Sequence, residues 1–212
     1  CPVLFVPELA RGLIGHLLGA VSGGALYRQA SFLLDHVGKS VMPSWLNIME
    51  RPQLMRGQGS SSFDAEGVAT RDSSLIEGGV LARYVLGSYS ARKLGLESTG
   101  NAGGIHNLIV ESGSADNAKD DFAGLLKRMG TGLLLTEVMG QGVSTLTGDY
   151  SRGAAGFWVE NGQIAYPVEG ITVAANLREM FAGIVAVGTD VDPRSHLLTG
   201  SILLERMTVA GE

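Results

Sequence analysis

The residues best suited to chemistry lie together at Asp149-Tyr150-Ser151-Arg152, in a glycine-punctuated loop of the stretch 139–162, MGQGVSTLTGDYSRGAAGFWVENG. An acceptor, two hydroxyls and a fork-shaped cation in succession suit two tasks. One is a closed internal network, in which Asp149 caps or salt-bridges and Arg152 packs along a sheet, because buried polar groups usually find internal partners. The other is a recognition edge. Arg152 would hold a peptide carboxylate bidentately, and the exposed backbone of the adjoining strand would pair with an extended peptide. Ser151 sits in Tyr-Ser-Arg-Gly and lacks the G-x-S-x-G elbow of hydrolases. No histidine is near it in sequence, though a triad does not require that. Gly140-Gln141-Gly142 lacks the third glycine of a dinucleotide turn, and no phosphate-binding Lys-Ser/Thr follows it.

The four histidines, His16, His36, His106 and His196, include no pair at the i, i+4 spacing that places two imidazoles on one helix face for zinc. His36, near the end of an expected helix, reads as a dipole partner. His196 lies in a polar, exposed loop. His106 follows Gly103-Gly104-Ile105 and is the histidine of most interest, as a structural hydrogen bonder or a catalytic or peptide-contacting group.

These residues need a frame. Residues 3–6 read as a short apolar strand and 7–21 as a helix, with Pro7 suited to its first turn. Leu9, Leu13, Ile14, Leu17, Leu18 and Val21 recur at three- and four-residue steps and form its buried face. Gly12, Gly15 and Gly19 fall on another face, where a second backbone could approach. Gly23-Gly24 ends this helix, and 25–37 reads as a second. Residues 52–79 look irregular, with 57–62 and 71–74 as exposed loop. A strand at 80–85, a helix at 89–94, a glycine loop at 100–106 and a strand at 108–111 follow. The polar link 112–119 leads to a helix at 120–129 and a strand at 133–138. Asn161-Gly162 is the favoured type I′ hairpin turn. It pairs Val159 with Ile164 and Phe157 with Tyr166, all four on one face. Residues 176–187 read as an amphipathic helix and 202–209 as a closing strand. The class is α+β, a mixed, mostly antiparallel β domain with several helices, continuous over 1–212 and without internal repeats.

Composition narrows the function classes. The 212 residues are 45% hydrophobic and 17% charged, which suits a well-packed globular chain. The 31 glycines are about twice the usual share of roughly 7% and point to many tight turns. A net charge of −5 and no basic run longer than two residues argue against nucleic-acid binding. A single cysteine, Cys1, permits no internal disulfide and fits a cytoplasmic setting. No apolar run reaches the ~18 residues of a membrane span. The opening Cys-Pro-Val-Leu-Phe-Val reads as a strand entered mid-chain, so a longer polypeptide is expected.

Several runs carry a resemblance. TGLLLTEVMGQG at 131–142, GDYSRGAAGFWVENG at 148–162, SARKLG at 90–95, AGGIHN at 102–107 and ERMTVAG at 205–211 resemble the TldD/PmbA family in its PmbA, or TldE, branch. The likeness covers essentially the whole chain and corresponds to the C-terminal half of such proteins. It implies that 1–212 is a fragment, a mostly β C-terminal domain that follows an α/β domain. It also implies pairing with a TldD-like subunit in a cytoplasmic metallopeptidase acting on small or unfolded peptides. Microcin maturation and antitoxin turnover are family roles, and "modulator of DNA gyrase" is the historical label. TldD-type subunits carry a His-Glu-x-x-x-His helix and a later cysteine. The matching segment here is Pro7-Glu8-Leu9-Ala10-Arg11-Gly12, which keeps only Glu8. Pro7 and Gly12 stand at the histidine positions, and the cysteine position falls near Thr199-Gly200. His16 lies beyond the motif and does not restore it. The resemblance therefore implies a non-catalytic subunit holding no metal of its own, with zinc in the TldD partner; Asp149, Tyr150, Ser151, Arg152 and His106 stay the candidate peptide contacts on their own chemistry. Two other readings remain: a stand-alone hydrolase using Ser151 or His106, and a homo-oligomeric peptide-binding module, a homodimer when alone, docking through the glycine face.

Overall fold

Leu133, Leu134 and Leu135 occupy the middle of the larger sheet and show how the layers are built. Successive strand residues point to opposite faces, and Leu133 and Leu135 enter one apolar cluster while Leu134 enters another. The computed structural model describes residues 1–112, 116 and 119–211. Most of the link at 112–119 therefore lies outside the described residues.

In chain order the elements are β1 (Val3–Phe5), α1 (Pro7–Ala20), α2 (Gly23–Tyr27), β2 (Leu46–Glu50), β3 (Ser73–Glu77), β4 (Val80–Leu81), α3 (Ser88–Leu94) and β5 (Leu108–Ser112). There follow α4 (Phe122–Met129), β6 (Gly132–Met139), β7 (Asp149–Glu160), β8 (Gln163–Asn176), α5 (Leu177–Ala182), β9 (Ile184–Val187), β10 (Leu197–Leu198), β11 (Ile202–Leu204) and β12 (Thr208–Ala210). The fold is α+β. A seven-stranded sheet runs β12-β8-β7-β6-β1-β11-β9, and a five-stranded sheet runs β10-β5-β2-β3-β4. Among the named strands, β1–β6 and β10–β5 pair in parallel and the other pairings are antiparallel.

The larger cluster takes residues from both sheets and from α1, including Phe5, Leu13, Leu17, Ile48, Leu108, Leu135 and Ile202. The smaller lies on the other face of the large sheet, where Leu125, Leu126 and Met129 of α4 cover Leu4, Leu134 and Val159. Pro7 opens α1 in its first turn, where its missing N–H costs nothing.

The hairpin turn is as the sequence predicts. Asn161 (φ 53°) and Gly162 (φ 73°) are both left-handed, and Glu160 faces Gln163 across the turn. Val159 faces Ile164, but an irregularity between Trp158 and Val159 then puts Trp158 opposite Tyr166 and Phe157 opposite Pro167. The expected Phe157–Tyr166 pair is therefore wrong. Tyr166 shares a face with Trp158, and Ile164 and Tyr166 are exposed rather than buried with Val159.

Other expectations also need correction. The helix expected at 25–37 stops at Tyr27. The chain then turns through Gln29 and Asp35, both at positive φ. The strand expected at 80–85 is only Val80–Leu81, and Ser73-Ser74, read as loop, begin β3. β2 has no counterpart among the expected elements. The helix expected at 176–187 ends at Ala182 and gives way to β9, because Ile184, Val185 and Val187 are β-branched and favour a strand. The closing strand at 202–209 is two strands in different parts of the large sheet. The glycine face of α1 meets no second backbone: a Cβ added at Gly12, Gly15 or Gly19 would have nothing within 4 Å.

Candidate functional site

Asp149, Tyr150, Ser151 and Arg152 form the start of β7 and are not a loop as the sequence suggested. The segment before them folds back on the strand: Ser151 N donates to Gly142 O at 2.7 Å and Ser144 N to Asp149 O at 2.9 Å. Gly142 is required there, since a Cβ would lie 1.9 Å from Ser151 O.

The Asp149 carboxylate is engaged internally. Its Oδ2 accepts from Thr147 Oγ1 at 2.6 Å and its Oδ1 from Asn176 Nδ2 at 3.3 Å. Asn176 also donates to Thr147 O at 3.2 Å, and its Oδ1 accepts from Arg178 N at 3.0 Å, capping α5. Arg152 Nε donates to Met139 O at 3.0 Å. Tyr150 is buried, and His16 of α1 packs edge-on against it with ring centres 5.8 Å apart. Burial pushes the Tyr150 hydroxyl above its ordinary pKa. Burial, and then the positive charge of Arg152, pull His16 below its ordinary value of 6.5. Ser151 is exposed and points to the opposite face of the strand from Tyr150 and His16, so these two cannot form a nucleophile–base pair with it.

His106 belongs to a different network, just before β5 and against Glu50 at the end of β2. Glu50, 1% exposed, is the hub there. Its Oε1 accepts from His106 N at 2.7 Å and Asn101 Nδ2 at 2.9 Å, and lies 2.9 Å from His106 Nδ1. Its Oε2 pairs with Arg83 Nη2. Asp64 secures the same glycine loop through Ala102 N, at 2.9 Å. His36, expected at a helix end, sits in an irregular segment with Nδ1 2.6 Å from Leu34 O, and His196 is exposed.

The positions matched to a metal motif follow β1 and precede β11, two strands that pair with Phe5 opposite Ile202. Their chemistry, however, does not suit a metal ion. Pro7 and Gly12 offer no ligand atom. Thr199 is fully buried and its hydroxyl donates to Gly200 O at 3.0 Å. Glu8 faces a cation already: Arg194 Nη2 lies 3.0 Å from its Oε1. Arg194 also grips Asp192 through Nε at 2.8 Å and Nη2 at 3.1 Å, and Arg11 reaches Asp192 Oδ2 at 2.9 Å. A zinc site needs three or four converging N, S or O donors. Among the described residues no three His, Cys, Asp or Glu side chains are grouped to hold a metal. Nothing in the sequence singled out Arg11, Asp192 or Arg194: the last two sit in one loop, and the residues they reach on α1 lie at the other end of the chain. Among the described residues, no helix is long and apolar enough to cross a membrane.

The family model for the PmbA/TldA metallopeptidase C-terminal domain matches residues 1–211. The protein called Metalloprotease PmbA in Escherichia coli O157:H7 is 54% identical over 211 residues, covering 100% of this chain and 46% of the relative. A crystal structure described as a putative modulator of DNA gyrase from Bacteroides thetaiotaomicron superimposes with a TM-score of 0.92 at 30% identity, over 100% of this chain and 47% of that one. TldE from Thermococcus kodakarensis gives a TM-score of 0.82 at 27% identity, over 99% and 50%. The chain thus spans about half the length of the proteins it matches.

Proposed function

The chain belongs to the PmbA/TldA metallopeptidase family, and on that premise we propose that it is the non-catalytic, peptide-holding part of a paired cytoplasmic metallopeptidase. The observation that carries this reading is Glu8 held by Arg194, flanked by Pro7 and Gly12 where the resembling TldD-type motif has histidines. A carboxylate paired with a guanidinium and lacking neighbouring nitrogen ligands cannot position a metal-activated water. A TldD-like subunit would carry the zinc and the water. This chain would wall the chamber and hold peptide in extended form. Ser151 and Arg152, beside the exposed Asp149, are the contact surface proposed for that task, with Tyr150 buried beneath them against His16 and with His106 and its loop as a second. The likeness to a protein named TldE supports the pairing.

The test is metal content and peptide hydrolysis of the full-length protein, alone and mixed with a TldD-type subunit. Turnover is expected only in the mixture, with zinc in the partner. Stoichiometric zinc together with turnover by this protein alone would overturn the reading.

A further inference from the structure

A cavity of about 500 Å³ opens between the irregular segment 32–44 and α5. Its apolar wall is Phe32, Val41 and Phe181, and its polar groups include Arg178 and His36. Among the described residues no carboxylate lines it, although the whole chain carries a net charge of −5. Pockets that combine an apolar wall with a few convergent polar groups are the usual form of a small-ligand site.

The polar groups are set in place before any ligand arrives. The Arg178 guanidinium lies over the Phe32 ring, 5.6 Å from its centre, and Nη2 donates to Phe32 O. That leaves further N–H donors of the five on the fork. His36 Nδ1 lies 2.6 Å from the Leu34 carbonyl, which fixes the proton on Nδ1 and leaves Nε2 as an acceptor in the neutral ring. The wall is pinned along its length. Tyr84 Oη donates to Leu33 O at 3.1 Å and accepts from His36 N at 3.2 Å, and Val41 N and Met42 N donate to Gly79 O at 2.9 and 3.0 Å. Phe32 N donates to Thr145 O at 2.9 Å, and Arg178 N is bonded to Asn176, which in turn reaches Asp149. Hydrogen bonds therefore link the wall of the cavity to the start of β7.

We propose that this cavity binds the C-terminal residue of a peptide, with an apolar side chain against Phe32, Val41 and Phe181 and the free carboxylate on Arg178. His36 Nε2 would accept the N–H of that residue. The proposal rests on the peptide-holding function above for the ligand's class, and on the cavity's chemistry for its end. The shared chemistry is an apolar group beside a carboxylate, which a medium-chain fatty acid also offers.

The test is calorimetric titration of the full-length protein, without partner or metal, with three probes: acetyl-Ala-Ala-Leu as the free acid, the same peptide as its C-terminal amide, and octanoate. The free acid is expected to bind about tenfold or more tightly than the amide, as a charge-assisted bond to Arg178 requires, and more tightly than octanoate. Arg178→Met should abolish that preference and Arg178→Lys should restore part of it. Val41→Trp, which fills the cavity from its rim and removes no hydrogen bond, should block the peptide while leaving the melting temperature near that of the native protein. Equal binding of acid and amide, binding that survives both Arg178→Met and Val41→Trp, or octanoate binding as tightly as the peptide acid would each overturn the proposal. Because no turnover is read, the outcome is independent of which subunit carries the metal.

Discussion

Arg194 places one guanidinium on two carboxylates, Glu8 of α1 at 3.0 Å and Asp192 of its own loop at 2.8 Å. The bonds from Arg194, with Arg11 adding its charge, lower the Asp192 pKa from 3.8 to about 2. In the unfolded chain the ordinary value returns, so the unfolded state takes up a proton first as the pH falls. The stabilisation by Asp192 is complete above about pH 4 and is lost as the pH drops through about 2. Denaturant midpoints measured from pH 5 to pH 2 are expected to fall more steeply for the native protein than for Arg194→Ala. Equal slopes would show that Arg194 is not what stabilises the Asp192 carboxylate.

Asn176 caps α5 with its Oδ1 and reaches Asp149 with its Nδ2. Asn176→Ala should lower the unfolding free energy by about 1 kcal/mol for the lost cap. Asp149→Ala leaves the cap in place and should cost less. Urea unfolding of both variants checks the order; a reversed order would mean that Asp149, and not the cap, holds the junction between β8 and α5.

Glu50 is the buried end of a charged pair with Arg83. Glu50→Gln keeps the shape and removes the charge, leaving the guanidinium without its counter-ion in the interior. A loss of about 3–5 kcal/mol is expected. Glu111→Gln, which breaks the half-exposed pair with Arg51 at 3.2 Å, should cost less than about 1 kcal/mol. Similar costs for the two would disprove the hub role of Glu50 in holding the 100–106 loop.

Two glycine substitutions should move in opposite directions. Gly15→Ala adds a methyl to open space on a helix and should stabilise the chain by about 0.5–1 kcal/mol through helix propensity. Gly142→Ala would drive a Cβ into Ser151 O and should destabilise strongly. Mixing Gly15→Ala with a TldD-type subunit adds a second reading. Unchanged complex formation is expected, and loss of the complex would show that a partner backbone packs on the glycine face.

The legible parts of the fold were those with local cause. Pro7 followed by a three- and four-residue apolar rhythm specified α1, and Asn161-Gly162 specified its hairpin turn. Elements set by distant partners were not legible. Leu46–Glu50 becomes a strand because Ser73–Glu77 and Leu108–Ser112 flank it, neither of which is near in sequence. The polar run Asp149–Arg152 resembles a loop until β8 pairs with it along its length. The vacant donors at Pro7 and Gly12 could be read directly, whereas the Arg194–Glu8 contact that accompanies them joins residues 186 positions apart. The cavity beside Arg178 was invisible for the same reason: its walls come from two stretches that share no motif.

The larger apolar cluster draws on both sheets, with Ile48 and Leu108 from one and Leu135 and Ile202 from the other beside Leu13 and Leu17. The face that each sheet turns to this cluster opens to water if the other peels away. The two should therefore melt in a single transition, with α1 as their common mortar. A cavity cut anywhere in that interior should lower the protection of slowly exchanging amides in β2 and in β6 alike, which makes the pair one cooperative unit and not two modules joined by loops.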